Sequence, residues 1–259
     1  MTGRAATNRP IVSLAGDAAL VAEFAAACRE RGYTVECVAP DGARGARRKI
    51  AGLPEGIRVV ARPAARTSLA IELTNIDVGS KRKNLALLDR TLRPATLLLS
   101  SSVTVTVAEQ SAWVRHPGRL VGIGALPSFL GGAYLECAMS GLSSDSARGE
   151  AEAFAQSLGK HAAFVGDSVG MVLPRVVCCL ANEAHFALME RVAGADEIDT
   201  AMKLGTSYPA GPFEWSRRIG YGQVSAVMHA LHRFFGEDRY RPAPALRRAA
   251  DLEAGGTHS

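Results

Sequence analysis

Short apolar segments alternate with amphipathic helical patterns over the first two thirds of the chain, and this alternation constrains the fold more than any other feature. Residues 11–14, 34–38 and 69–73 are apolar runs of strand length, whereas residues 18–31 repeat apolar side chains at helical spacing. Strands separated by helices are typical of βαβ units and a mainly parallel sheet. After Asp167 the strand pattern stops and only helical periodicity continues.

The predicted fold class is α/β, with a Rossmann-like, mainly parallel sheet domain followed by a small all-α domain. We expect the sheet domain over residues 1–166 and the helical domain over residues 167–259. Residues 103–114 are predicted to be a helix of the first domain. Residues 176–192 and 224–235 carry the longest helical patterns of the second.

The composition restricts the classes of protein to which the chain can belong. Of 259 residues, 47% are hydrophobic and 21% are charged, as in globular proteins. No apolar run reaches the roughly 18 residues that a membrane span needs. The first ten residues hold no apolar segment, so we expect no signal peptide. Five cysteines without a CxxC pair predict reduced thiols, no zinc site and a cytoplasmic protein.

The net charge of +5 is spread along the chain, and we expect no nucleic-acid partner. One dense basic patch contains Arg44, Arg47, Arg48 and Lys49. Such a patch is either a solvated loop or a site for a phosphorylated ligand, because clustered cations attract phosphate groups. The residues themselves leave both interpretations open.

The turn between the first strand and the first helix departs from the dinucleotide-binding pattern GxGxxG. Gly16 supplies the first glycine, but Ala18 and Val21 stand where the other two would be. A methyl group at the second position obstructs the approach of a pyrophosphate, and Asp17 adds a negative charge beside it. The second strand ends at Ala39, which offers no carboxylate to a ribose. The predicted fold has a place for the motif, but the motif is broken.

The C-terminal part carries a set of motifs with a recognisable pattern. The chain resembles the NAD-dependent L-3-hydroxyacyl-CoA dehydrogenase family, most closely over residues 140–250. The residues that carry the resemblance are Asn182-Glu183-Ala184, Asp199-Thr200-Ala201-Met202, Gly205, Gly211-Pro212, Phe235-Gly236 and Arg241-Pro242-Ala243-Pro244. The resemblance implies a helical dimerisation domain behind a sheet domain that binds a nicotinamide cofactor.

The same resemblance implies a catalytic pair made of a histidine and a glutamate that orients it. Glu136 matches the family's glutamate. Twelve residues before it, where the family has its histidine, the chain has Gly124. Glycine has no proton acceptor in its side chain, so the base of the family is missing. We expect Glu136 to be a retained member of the pair with a structural role, or else a carboxylate base.

Other functional positions of the family are also changed. Its asparagine in a VNR motif corresponds to Pro174, and its substrate-contacting serine corresponds to Val103. The asparagine that follows the family's histidine corresponds to Pro127, and an acidic residue near the cofactor corresponds to Ile76. The family's cofactor lysine is kept as Lys81. Gly16 and Lys81 are therefore the residues expected to contact NAD(H) or NADP(H).

Three interpretations of function follow from these matches. The first is a catalytically degenerate family member that binds an acyl-CoA without turnover. The second is an active NAD(P)-dependent oxidoreductase on a 3-hydroxyacyl-CoA or a related 3-hydroxy acid, which uses other residues. The third is a non-catalytic partner subunit of an active homologue. The resemblance implies a homodimer through the helical domain, or a heterodimer with a homologue, and no membrane association.

The histidines offer no evident replacement for the missing base. His185 lies on the apolar side of a predicted helix, where a structural role is expected. His229 and His232 lie three residues apart on one helix, a spacing that places two ligands on one face. No third ligand accompanies them, so the sequence predicts no metal site.

Overall fold

A computed structural model describes residues 9–39 and 53–256. All strands of the described chain lie within residues 1–166. After Val165 the only regular elements in the described residues are helices. The basic patch of Arg44, Arg47, Arg48 and Lys49 lies outside the described residues.

One sheet of eight strands forms the first part of the described chain, in the order β3-β2-β1-β4-β5-β6-β7-β8. Neighbouring strands are parallel except for β6 and β7, so the predicted mainly parallel sheet is confirmed. The strands are β1 (Ile11–Gly16), β2 (Thr34–Val38), β3 (Arg58–Val60), β4 (Leu69–Leu73), β5 (Leu97–Ser101), β6 (Leu120–Ile123), β7 (Tyr134–Ala138) and β8 (His161–Val165).

Nine α-helices are present in the described residues, four among the strands and five after them. They are α1 (Ala18–Glu30), α2 (Val78–Thr91), α3 (Val107–Ser111), α4 (Asp145–Ser157), α5 (Leu173–Met189), α6 (Ala195–Thr206), α7 (Pro212–Ile219), α8 (Tyr221–Phe235) and α9 (Pro244–Gly256). The last five form the predicted helical domain. None of the helices in the described ranges is long and apolar enough to cross a membrane.

The predicted helix over residues 103–114 is wrong in extent. Only Val107–Ser111 is α-helical, and Thr106 caps its first turn by accepting a hydrogen bond from the amide of Glu109. Val103 is instead fully buried against the helical domain, and Val105 is also buried. The apolar spacing that predicted a longer helix therefore arises in part from Val103, which packs against the helical domain and is not part of a helix.

The order of the strands places a crevice at the carboxyl end of the sheet. The chain passes from β1 to β2 on one side of β1 and later returns to its other side as β4. Such a reversal separates the two following connections and leaves a crevice outside the strand ends, where open α/β sheets bind their ligands. Here the crevice lies between Gly16 and the segment that follows Leu73. The helical domain reaches the same place through α8.

The cysteines are free thiols, and four of the five are buried. Burial raises the pKa of the thiols of Cys28, Cys37 and Cys137 to about 12. A thiol with so high a pKa is unreactive near neutral pH, because the thiolate is the nucleophilic form. These cysteines therefore act as small apolar core residues.

Candidate functional site

Gly16 ends β1 at a point where only glycine fits. A Cβ atom there would lie 2.4 Å from the carbonyl carbon of Leu73 and 2.7 Å from the amide nitrogen of Thr74. The residue also has a φ of +139°, which L-residues with side chains rarely adopt. Gly16 is therefore needed for the close approach of β1 and β4, whether or not a cofactor binds.

Asp17 follows Gly16 and turns its carboxylate across the crevice. Its Oδ2 accepts hydrogen bonds from the amides of Asn75 and Ile76, at 2.8 and 3.2 Å. The same oxygen accepts a third hydrogen bond, 2.8 Å long, from Nε2 of Gln223 on α8. One carboxylate thus joins the turn after β1, the turn after β4 and the helical domain.

Asn75 completes this connection on the sheet side. Its Nδ2 donates to Oε1 of Gln223 and to the carbonyl oxygen of Ala125, both at 2.9 Å. Its Oδ1 accepts a 2.6 Å hydrogen bond from Ser101 at the end of β5. We call Asp17, Asn75, Ser101 and Gln223 the crevice network. Asn75 is 2% exposed and Gln223 5%, so the network is a buried bridge between the domains.

The sequence singled out Asp17 but neither Asn75 nor Gln223. A glutamine on an amphipathic helix resembles any solvent-facing side chain, and Asn75 follows a strand as turn residues do. The contact of Gln223 with Asp17 spans 206 residues of sequence. Gln223 lies one residue before the helix predicted over residues 224–235, so no local signal indicated its role.

Lys81, the expected cofactor lysine, lies fully inside the sheet domain. Its Nζ forms an ion pair with Glu72 of β4 and donates to the carbonyl oxygen of Thr74 at 3.1 Å. Glu72 also accepts a 3.0 Å hydrogen bond from Ser100. Both charged side chains are 0% exposed, so they compensate each other's burial. The ammonium group is directed at protein atoms of the β4–α2 connection.

Glu136 on β7 uses both carboxylate oxygens to hold the start of α5. Its Oε1 accepts a hydrogen bond from the amide of Leu173 at 2.8 Å, and its Oε2 accepts one from Val172 at 3.1 Å. A negative charge at the first amides of a helix is favoured by the helix dipole and satisfies donors without helical partners. The structure therefore gives Glu136 a structural role.

Gly124 lies beside Glu136, and a larger residue there would make close contacts with neighbouring side chains. A Cβ atom there would lie 3.1 Å from Cβ of Glu136, 3.2 Å from its Oε2 and 3.4 Å from Sδ of Met171. Side chains of Glu136 and Met171 therefore lie close to the position at which the family's histidine would begin. Pro174, in place of the family's asparagine, lies buried in the first turn of α5.

An apolar cavity of about 550 Å³ opens beside Gly124 and Glu136. Large apolar side chains line most of it, among them Phe24, Leu126, Phe129, Leu130 and Val176. Glu136 is its one charged lining residue. The volume is within the range of small-molecule sites, and the lining suits an alkyl chain. We call this space the Glu136 cavity.

The motif residues of the helical domain bind backbone groups of their own domain. Asp199 accepts hydrogen bonds from the amides of Phe213 and Glu214, at 2.7 and 3.1 Å, at the start of α7. A Cβ atom on Gly211 would lie 2.3 Å from Cγ of Asp199. Asn182 accepts a 2.8 Å hydrogen bond from the amide of Ala243 and donates to a backbone carbonyl nearby. The motif residues that carry the family resemblance therefore have structural roles, because they connect the helices of this domain.

No group of three or more His, Cys, Asp or Glu side chains within residues 9–39 and 53–256 is arranged to hold a metal ion. His185 is buried, and its Nδ1 donates to the carbonyl oxygen of Ala181 at 2.7 Å. Its ring lies 4.7 Å from that of Phe213, so it packs as a core residue.

Comparison with known proteins identifies the C-terminal part. Residues 170–259 match the family described as 3-hydroxyacyl-CoA dehydrogenase, C-terminal domain. The chain is 30% identical over 185 residues to a probable 3-hydroxybutyryl-CoA dehydrogenase of Bacillus subtilis. This alignment covers 71% of this chain and 64% of that protein. It is 37% identical over 126 residues to a 3-hydroxyadipyl-CoA dehydrogenase of Escherichia coli. This second alignment covers 49% of this chain and 26% of that protein.

The match to solved structures extends further along the chain. The crystal structure of an (S)-3-hydroxybutyryl-CoA dehydrogenase from Ralstonia eutropha superposes with a TM-score of 0.74 at 25% identity, over 96% of this chain and 95% of that one. The alignments with the two curated relatives span less than two thirds of either relative's length. The motifs and these matches agree: residues 170–259 belong to the family of 3-hydroxyacyl-CoA dehydrogenase C-terminal domains, and the chain as a whole is similar to dehydrogenases of 3-hydroxyacyl-CoA compounds.

Proposed function

We propose that this chain binds an acyl-CoA-type ligand without transferring a hydride, as a degenerate member of its family. The observation that carries the proposal is the crevice network. Asp17 joins both domains through three donors at the place where a dinucleotide would cross the sheet. The interpretation as an active NAD(P)-dependent oxidoreductase is the alternative against which the proposal is tested.

Charge is the first reason that the crevice does not suit NAD(H) or NADP(H). A pyrophosphate at the start of α1 would lie beside the carboxylate of Asp17, which is fixed by its three donors. Like charges held close together in a partly buried site repel each other strongly. Displacing Asp17 to admit the cofactor would also leave the backbone amide of Asn75 and Nε2 of Gln223 without their acceptor, and unpaired buried polar groups cost free energy.

The missing proton acceptor is the second reason. A general base must lie within hydrogen-bond reach of the hydroxyl that it deprotonates. Gly124 offers no such group, and both oxygens of Glu136 already accept backbone amides of α5. Apart from Glu136 and Tyr134, the residues that line the cavity beside Gly124 are apolar. The arrangement favours binding over hydride transfer.

The Glu136 cavity is the proposed site for the acyl group of the ligand. Its apolar lining provides favourable burial for an alkyl chain, at roughly 25 cal/mol for each Å² removed from water. The relatives named above are dehydrogenases of 3-hydroxybutyryl-CoA and 3-hydroxyadipyl-CoA. An acyl-CoA is therefore the ligand class that a member with an altered crevice is expected to retain.

We further propose that the chain forms a homodimer, or a heterodimer with an active homologue, through its helical domain in the cytoplasm. Large apolar side chains remain exposed there: Val176 is 52% exposed, Val192 72% and Leu204 81%. Where exposed apolar side chains form a contiguous patch, the patch marks an interface, and these side chains are the ones proposed to form it. Sedimentation of the purified chain, alone and mixed with a homologue, measures this, and a monomer in both samples would contradict it.

Equilibrium binding tests the central proposal directly. NADH and NADPH are titrated against the purified protein by fluorescence, with and without acetoacetyl-CoA. We expect no nucleotide binding and a thermal shift with acetoacetyl-CoA. A variant with Asp17→Gly, Ala18→Gly and Val21→Gly is expected to gain nucleotide affinity. Tight binding of either nucleotide by the unchanged protein would overturn the proposal, and no response to any ligand would favour the partner-subunit interpretation.

A further inference from the structure

A second cavity, of about 580 Å³, lies between the two domains on the other side of the crevice network. The turn after β4 and Thr104 form its sheet side, and α8 and α9 form its helical side. We propose that this interdomain cavity binds an aliphatic carboxylic acid that carries a hydroxyl or oxo group. This site is separate from the Glu136 cavity, so the inference does not depend on the proposed acyl-CoA function.

A buried hydroxyl without a partner is the first observation. Thr104 is 4% exposed, and its Oγ1 has no hydrogen-bond partner among residues 9–39 and 53–256. Buried hydroxyl groups are almost always paired, because leaving one unpaired costs free energy. Thr104 lines the interdomain cavity. A ligand oxygen in this cavity would satisfy the hydroxyl that the protein leaves unpaired.

His229 on α8 provides a second polar group at the same cavity. Its Nδ1 lies 2.8 Å from the carbonyl oxygen of Ser225, and a carbonyl only accepts, so Nδ1 carries a hydrogen atom. This bond fixes the ring and leaves Nε2 for a ligand. The neutral ring can accept a ligand hydroxyl at Nε2, and the charged ring can donate to a ligand oxo group there. His229 and Thr104 are contributed by different domains.

Arg233 supplies the charge that favours a carboxylate. It lies four residues after His229, on the same face of α8, and lines the cavity. Arg233 forms no ion pair with any residue in the described part of the chain. A guanidinium group binds a carboxylate through two parallel hydrogen bonds, which makes a carboxylic acid the best-fitting anion.

Two acidic residues on α9 set the orientation of such a ligand. Glu253 lines the cavity and accepts a 2.8 Å hydrogen bond from the amide of Gly222, and its negative charge also repels a carboxylate close to α9. Asp251 lines the cavity and forms no ion pair with Arg233. It repels a ligand carboxylate, which therefore lies on the α8 side. Replacing Asp251 by asparagine should accordingly strengthen binding.

The rest of the cavity surface is aliphatic. Ile76, Val78, Ala226, Ala230 and Ala250 contribute most of it. Short side chains leave space without offering hydrogen bonds, and such a surface suits an alkyl chain. Asn75 also lines the cavity, but its amide is fully used by the crevice network. The ligand therefore needs an apolar body with polar groups at two places.

A series of ω-hydroxy acids measures this arrangement. 4-Hydroxybutyrate, 6-hydroxyhexanoate and 8-hydroxyoctanoate are titrated into the full-length protein by calorimetry, because the chain length reports the spacing of the two polar groups. Hexanoate lacks the hydroxyl, and hexan-1-ol lacks the carboxylate. We expect one hydroxy acid to bind at millimolar concentration or tighter, and its hydroxyl-free analogue to bind about tenfold more weakly. Equal binding of each acid and its analogue would overturn the proposal.

Variants then assign the contacts. Thr104→Val and Arg233→Ala should each weaken binding of the best hydroxy acid about tenfold, whereas Asp251→Asn should strengthen it. His232→Ala and Arg247→Ala are matched controls, since both residues line a different cavity, and neither should change binding. Circular dichroism confirms that each variant is folded. The assignment would be contradicted by loss of binding in the controls, by no effect of Thr104→Val, or by no binding of any acid. The nucleotide titration tests the proposed function separately, so failure of one proposal can be distinguished from failure of the other.

Discussion

The crevice at the sheet and the motif region of the helical domain contain the same type of contact, but only the contact in the helical domain belongs to an intact family motif. In both, one aspartate accepts two backbone amides: Asp17 binds those of Asn75 and Ile76, and Asp199 binds those of Phe213 and Glu214. Asp199 belongs to the motifs that identify the family, whereas Asp17 stands in a motif that is broken. The same type of bond thus maintains the family pattern in one region and closes the crevice in the other.

The difference shows what the family resemblance measures. The best-matched residues, such as Asn182, Asp199 and Gly211, hold helices of one domain together. The changed residues include Gly124 and Pro174, which stand where the resemblance places the family's catalytic histidine and the asparagine of its VNR motif. A match in the helical domain therefore establishes ancestry and fold. It does not transfer an activity whose groups lie in the crevice.

The largest expected effect is from Lys81→Met. If Lys81 is a structural cation in this chain, its loss leaves Glu72 charged and unpaired inside the sheet domain. Breaking a buried ion pair on one side costs about 3–5 kcal/mol of unfolding free energy. Urea denaturation measures this. Lys203→Met is the matched control, because Lys203 pairs with Glu214 at the surface of the helical domain, and no measurable loss is expected there. Equal effects would show that the two pairs do not differ.

Gly211→Ala should have the next largest effect, a destabilisation of the helical domain. The added methyl group would overlap the carboxyl group of Asp199, which is held by two amides and cannot easily move. Overpacking of this kind costs about 1–3 kcal/mol. Gly205→Ala is the control, since nothing lies within 4 Å of a methyl group there. A normal midpoint of thermal unfolding for Gly211→Ala would mean that the motif glycine has another purpose.

Asp17→Asn and Asp199→Asn compare the two regions directly. Each removes the charge from hydrogen bonds to backbone amides, at a cost on the order of 1.5 kcal/mol. We expect similar losses in chemical denaturation. The outcome that would separate the regions is a stable Asp17→Asn protein, because the crevice network would then contribute nothing to holding the domains together.

Much of the fold follows from local pattern, whereas the site does not. Residues 34–38 and 69–73 form strands as predicted, because a short apolar run between polar turns suits a buried strand. The helix predicted at 103–114 fails where burial of Val103 comes from the other domain. The crevice network could not be predicted, since Asp17 and Gln223 are far apart in sequence and neither has a local signal of pairing.

Lowering the pH should reduce the stability of the two domains in different pH ranges. This is the smallest of the expected effects, and it assigns one titrating residue to each domain. Burial lowers the pKa of His185 below its usual value of 6.5 in the helical domain. The unfolded chain therefore takes up a proton first, and stability that is present above pH 6.5 is lost as the pH falls toward the lower pKa of the folded state. In the sheet domain, burial acts to raise the pKa of Asp89. The amide of Arg115 and the guanidinium of Arg119 outweigh it, and the pKa lies below 3.8.

Asp89 consequently stabilises the sheet domain at every pH above 3.8, and this contribution is lost only as the pH falls below that value. Denaturation midpoints between pH 8 and pH 3 should therefore decline first through the helical domain and then through the sheet domain. His185→Gln removes the titrating group and should flatten the first decline, whereas Asp89→Asn should lower stability at neutral pH and flatten the second. If His185→Gln left the profile unchanged, the buried histidine would not be the group that makes the helical domain sensitive to acid.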